Sequence, residues 1–266
     1  MGLDIFRTHT DLLVESIPKG YWALKKALDQ WIKALKDIPL KGSIETTPKV
    51  LLFGGLNTMF IQKPIIEFFE ERGIITKSID FTEGINWLTS EHVVRYGIER
   101  GMMTPDDQYS LKTFFSSFWK PKGGLRFFFK ALRARAHVWD VDLTIKFFRW
   151  HMGKTGLLYD IHTPFPELSR AGHPYASTNG FNETSITVGR YLCTVNEGVF
   201  DGLVNTGSYN CQAARNSQAI LQSLSGSYDM PYVPIDCEGP WLSASQERLL
   251  ETLAVQAKRH CKNKVM

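Results

Sequence analysis

Apolar residues first repeat at helical spacing. Leu24, Leu28, Trp31, Ile32 and Leu35 recur every three to four positions, which predicts one long amphipathic helix from about Asp11 to Leu40, ending before Pro39. The period then changes. "PKVLLFGGLNTMF" carries a continuous apolar run, Val50 to Phe53, of the kind a strand buried on both faces needs, closed by Gly54 and Gly55. "KPIIEFFEERG" restarts a helix with Gly73 as its stop, and "IITKSIDF" is a second strand. Residues 49 to 81 therefore form a β-α-β unit with a glycine turn at the carboxyl end of its first strand.

Residues 84 to 155 read as mostly helical and aromatic. A segment rich in Pro, Ser and His follows, "YDIHTPFPELSRAGHPYASTNGFNET", which is expected to be a linker. Beyond it the pattern alternates again: "ETSITVGRYLCTVNEGVF" as helix, "DGLVNTG" as strand, "QAARNSQAILQSLSG" as helix, "MPYVPIDCEG" as strand and "SASQERLLETLAVQAKR" as helix. The expected fold class is α/β, with two Rossmann-like parallel-sheet subdomains, a long N-terminal helix and a helical insert. The expected boundaries are 1–47 for the N-terminal helical segment, 48–83 for the first half, 84–160 for the insert and 161–266 for the second half.

With 266 residues, 43% hydrophobic and 22% charged, the chain is long enough to bury a large core. No stretch reaches the roughly 20 apolar residues of a membrane span. The amino-terminal stretch carries Asp4, Asp11 and Glu15, which argues against a signal peptide or membrane anchor there. The net charge of +4 is uneven. Nine Lys or Arg lie between Trp119 and Lys154 against Asp140 and Asp142, interleaved with aromatics. A nucleic-acid or acyl-CoA phosphate surface fits that pattern less well than an amphipathic helical hairpin with solvated arginines, so no nucleic-acid partner is expected.

Two local patterns resemble phosphate loops and fall short. Gly54 and Gly55 lack the full Gly-x-Gly-x-x-Gly spacing, and "GKTG" at 153 to 156 lacks the upstream glycine and preceding strand. Loops as long as the Pro/Ser/His segment are often functional, which makes His162, His173, Asn182 and Glu183 candidates to line a site.

The chain holds four cysteines, Cys193, Cys211, Cys237 and Cys261, with no Cys-x-x-Cys pair. This is no disulfide framework, and a reducing cytoplasm is the expected setting. Cys211 and Cys237 each fall at the end of a predicted strand, so adjacent parallel strands would set both at one crevice, each beside a helix amino terminus that favours thiolate. Three readings remain open: inert buried thiols, ligands to an iron-sulfur cluster, or a nucleophile with His162 or His173 as base. Cys193 is expected in the core and Cys261, in "KRHCKNKVM", on the surface.

Several segments carry a resemblance. "KVLLFGGLNTMFIQKPIIEFFEERGIITKSIDFTEG", "SEHVVRYGIERG", "AGHPYASTNGFNETSITVGRYLCTVNEGVFDGLVNTGSYNCQAARNSQAI" and "MPYVPIDCEGPWLSASQERLLETLAVQAKR" resemble the carboxyl-terminal region of the large acyl-CoA dehydratase activase-related proteins. That region is related in fold to subunits of 2-hydroxyglutaryl-CoA dehydratase and benzoyl-CoA reductase and to double-cubane cluster proteins. The resemblance implies a cysteine-ligated iron-sulfur cluster, 4Fe-4S or double-cubane, with Cys211 and Cys237 as metal ligands; and because the Pro/Ser/His segment leads straight into the second half, His173, Asn182 and Glu183 are expected to border the same crevice. It further implies an ATP-dependent activator protein or domain as electron donor. Where related subunits carry another cluster cysteine after the first strand, this chain has "GGLNTMF" and "DFTEG" without one, so the remaining ligands are expected from a homodimer or a second cluster-binding subunit. The implied function is an iron-sulfur component of a low-potential reductase system. The alternative is a cluster-free scaffold or interaction subunit of the same fold.

Overall fold

The computed structural model describes residues 2–40, 42–54, 62–101, 112, 115, 116, 118, 119, 124–176, 183–237, 239 and 241–265. In chain order the elements are α1 (Gly2–Ser16), α2 (Tyr21–Lys36), β1 (Lys49–Gly54), α3 (Lys63–Glu70), β2 (Ile75–Ser78), α4 (Phe81–Glu99), α5 (Gly124–Gly153), α6 (Phe165–Gly172), α7 (Thr184–Glu197), β3 (Gly202–Ser208), α8 (Gln212–Ser225), β4 (Tyr232–Cys237) and α9 (Ala244–Val265). The chain divides into two compact units, residues 1–45 with 142–160, and residues 46–141 with 161–266. Among the described residues no helix is long and apolar enough to cross a membrane.

The smaller unit is helical. Leu13, Ala27, Leu28 and Ile32 are buried with Phe147, Phe148 and Met152 packed on them. The single helix expected from Asp11 to Leu40 is two helices. Pro18 lies in a short 3-10 turn, Ile17–Lys19, and Gly20 turns the chain at φ +88°. Proline supplies no N–H for a continuing helix, and only glycine adopts that φ cheaply.

The larger unit is built on one four-stranded parallel sheet in the order β2-β1-β3-β4. The strands of the two expected halves thus share one sheet: Val50 pairs with Gly202 and Gly54 with Thr206. Val50, Leu51, Leu52 and Phe53 are all buried, as a central parallel strand covered on both faces requires. On one face, Val50, Leu52, Val204, Val233 and Ile235 pack against Ile65, Phe68 and Phe69 of α3 and Leu250, Leu253 and Ala257 of α9. Alternation sends Phe53, Leu203 and Asn205 to the other face, where Phe53 meets Tyr191 of α7 at 6.5 Å between rings and Gly207 lets Ala214 of α8 approach.

Two expectations are corrected here. The Pro/Ser/His segment is more than a linker, since it contains α6, opened by Pro164 and Pro166 where the missing N–H groups cost nothing. Cys261 is buried rather than on the surface: it extends the inward stripe Leu250, Leu253, Ala254, Ala257 by one more turn of α9, and its thiol lies 3.5 Å from the Thr46 carbonyl. Cys193 packs on the buried Phe165, Leu168 and Ile186 cluster.

Candidate functional site

The carboxyl edge of the sheet, in the larger unit, carries both places where chemistry concentrates. In open α/β sheets ligands bind beyond this edge, at the point where the strand order reverses. Here that point lies between β1, whose sequence neighbour β2 is on one side, and β3 on the other.

Cys211 and Cys237 both reach this edge. Parallel register sets Ser208 beside Cys237, and the Tyr209 amide donates to the Cys237 carbonyl at 3.4 Å. The chain then turns through Asn210, whose φ is +61°, a conformation asparagine tolerates better than most residues. The Cys211 amide closes the turn on the Ser208 carbonyl at 3.0 Å, and Cys211, half-buried, is the N-cap of α8.

Their side chains have different surroundings. Val233, Ile235 and Cys237 alternate onto one face, and Cys237 packs against the core beneath α3 and α9. Burial, aided by the neighbouring Asp236 carboxylate, pushes its thiol up to about 11. Asp236 points to the opposite face, accepting from Arg215 at 2.8 Å and Gln218 at 3.2 Å, both on the helix that Cys211 opens. Among the described residues no group of three or more His, Cys, Asp or Glu side chains is arranged to hold a metal ion. Cys211 thus stands half-buried at the edge, while Cys237 is engaged with the core.

The second place is a crevice lined by Phe53 and Gly54 of β1, Glu83 and Trp87 of α4, and Glu183 and Arg190 of α7. Glu183, Ile186, Thr187 and Arg190 follow the i, i+3, i+4, i+7 rule and so share the helix face that borders it. Gly54 is obligatory here. At φ +144° its backbone comes so close to β3 that a Cβ would lie 1.9 Å from the Thr206 carbonyl oxygen.

A buried ion pair forms the polar wall. Arg190 Nε donates to Glu83 Oε2 at 3.3 Å and Nη2 donates to Oε1, while Nη1 donates to Thr163 Oγ1 at 3.2 Å, and Thr163 in turn donates to Glu197. Burial pushes the Glu83 carboxyl above its ordinary value, with Arg190 pulling the other way. Burial also opposes the charge on Arg190, but the Glu83 carboxylate more than offsets it and holds the guanidinium above its usual value. The bidentate fork is the geometry of an ionised pair.

Of the remaining residues singled out from sequence, Glu183 is the N-cap of α7, its carbonyl accepting from the Thr187 amide at 3.0 Å. His173 is half-buried at the C-cap of α6, and His162 precedes the buried Thr163. Asn182 and Gly55 lie outside the described residues. Sequence reasoning missed Glu83, Thr163 and Arg190. A signal existed for one of them: Arg190 is the only charged residue between Glu183 and Glu197, in a helix of small and apolar side chains.

Compared with family models, curated proteins and solved structures, the chain gives no match.

Proposed function

We propose that the protein is an iron-sulfur component of an ATP-dependent low-potential electron-transfer or reductase system related to the 2-hydroxyacyl-CoA dehydratases, with its sheet read as a Rossmann-like fold and the reducing cytoplasm as its setting. The observation that carries this reading is the β3–β4 register, which brings Cys211 and Cys237 to neighbouring strand ends. Cys211 is the better donor, since it is half-buried on a turn at the edge, ahead of the amide groups that open α8. A cluster held there supplies one-electron transfer at low potential. The chain's own contribution is to fix the Cys211 backbone through the Ser208 carbonyl, on a turn that opens the helix whose Arg215 pairs with Asp236. The remaining ligands come from a second copy or another cluster-binding subunit, and ATP is hydrolysed by the activator partner.

The test is iron and acid-labile sulfide content after strictly anaerobic purification with the native partner present. Cys211→Ser loses both, and Cys261→Ala, at the far end of α9, retains them. A stable monomer carrying a full complement of iron sinks the shared-ligand idea. The second reading, a cluster-free interaction subunit, is favoured by one observation, the engagement of Cys237 with the core. Iron-free protein under the same conditions supports that reading instead.

A further inference from the structure

Asn205 lies in the middle of β3, a central strand of the larger unit, and is fully buried on the face of the sheet that α7 covers. Asparagine is rare in strands, and a buried amide needs partners at both of its ends. The residues around it in the sheet supply none. Along β3 that face presents Leu203 and Gly207, and across the ladder Phe53 on β1 and Pro234 on β4, all without a polar side chain. Two polar side chains close in over it. Tyr232 stands on the same face of β4, opposite Leu203 and so diagonal to Asn205, within the reach of an aromatic side chain. Tyr191 hangs from α7 with its ring 6.5 Å from Phe53 and 5.7 Å from Tyr232, so it roofs the space between the two residues that flank Asn205.

Both Asn205 amide atoms and both tyrosine hydroxyls are shut away from solvent, and among the described residues none of the four atoms has a hydrogen-bond partner. They are neighbours all the same. Burial raises the Tyr232 hydroxyl above its ordinary value, and the Asn205 amide beside it pulls the other way. Polar groups that stand side by side without closing a hydrogen bond are the groups a bridging water joins. We propose that Asn205, Tyr191 and Tyr232 form the binding site of one internal water molecule, which ties β3, β4 and α7 together. The chemistry of the three side chains selects water. A buried water makes about three hydrogen bonds, giving and accepting at once; the Asn205 nitrogen donates, its oxygen accepts, and a phenol does either. An ion does not suit the site. Burial keeps both phenols protonated, Tyr191 pushed up to about 12, and Asp236, the carboxylate on this face of β4, is already taken up by Arg215 and Gln218. Tyr191 adjoins Arg190 in α7, so the water steadies the helix that carries the guanidinium of the crevice wall. The inference is independent of the role of Cys211.

The full chain itself is tested first. In nitrogen-15-labelled protein the Asn205 side-chain amide protons should give cross-peaks to water of opposite sign in NOE and ROE spectra, the mark of a held water rather than of exchanging protons. Oxygen-17 relaxation dispersion counts the same molecule through its oxygen, which hydroxyl proton exchange cannot imitate. Asn205→Leu should lose the dispersion amplitude of one water. Tyr191→Phe with Tyr232→Phe, which removes two of the three partners and leaves both rings in place, should lose it as well. Should a variant fail to fold, the spectra of the parent protein decide. A parent without the Asn205 cross-peaks overturns the proposal and leaves the amide bonded directly to a tyrosine hydroxyl. So does a dispersion amplitude that is the same in the parent and in the folded variants.

Discussion

Arg190 and Glu83 stand 107 positions apart in the chain and form a bidentate pair, both buried, in the wall of the crevice at the carboxyl edge. Such a pair is worth little over an apolar replacement, but breaking it strands a charge. Arg190→Met therefore costs about 3 to 5 kcal/mol in denaturant unfolding, and Arg190→Met with Glu83→Leu recovers most of it. The pH dependence has a definite sign. Without Arg190, burial raises the Glu83 carboxyl in the folded state above its ordinary 4.5, so the fold binds the proton more tightly than the unfolded chain. Stability of Arg190→Met then falls as pH rises through the acid range. A single variant costing under about 1 kcal/mol sinks the claim that both charges are desolvated.

Gly172 and Gly189 are the crossing point of α6 and α7. A Cβ on Gly172 would sit 1.7 Å from the Ser185 carbonyl oxygen, and one on Gly189 would sit 1.9 Å from that of Leu168. Backbone cannot yield as a flexible side chain does, so Gly189→Ala is expected to cost about 3 kcal/mol or more. Gly153, at the end of α5, has open space where its Cβ would be, and Gly153→Ala should be neutral or stabilise by up to about 1 kcal/mol. Equal thermal shifts for the two variants would contradict the close approach.

Burial holds the Cys237 thiol at about 11 against an ordinary 9.0. A raised folded value means that the stability it contributes is complete below pH 9 and is lost as pH rises from 9 to 11. Cys237→Ala should remove a slope of at most about 1.4 kcal/mol per pH unit in that window, the limit for one proton. Unfolding free energies at stepped alkaline pH measure it. An unchanged slope means that the thiol is not buried in the core.

Asp201, only 2% exposed, accepts from the Lys49 amide at 2.9 Å, from Lys264 at 2.8 Å and from His260 at 3.2 Å. It ties the amino ends of β1 and β3 to the last turns of α9. Asp201→Ala orphans a buried N–H and removes charge-assisted bonds, at an expected cost of about 2 to 4 kcal/mol. Hydrogen exchange localises the effect: the Lys49 amide should lose protection well ahead of the Val204 amide at mid-strand. Uniform loss across the sheet would mean that the carboxylate has no local anchoring role.

What the sequence determined by itself is every element whose signal is local. The run Val50 to Phe53 and the Gly73 stop defined β1 and α3, where the Ile74 amide returns to the Phe69 carbonyl and closes the helix end. The alternation after residue 183 defined α7, β3, α8, β4 and α9 in order, because period and punctuation are properties of neighbouring residues. Only tertiary structure decided that β1 and β3 pair, uniting both halves in one sheet, since strand pairing depends on which edges meet and leaves no periodic mark. Tertiary structure likewise decided that Cys261 is buried under a charged-looking tail, and that Cys237 packs into the core while Asp236 reaches α8, a split set by one residue of strand phase. The Glu83–Arg190 wall of the crevice belongs to the same class. Glu83 alone reads as an ordinary surface charge and Arg190 as a lone charge on an otherwise apolar helix, and only the fold, by burying both, makes them a pair.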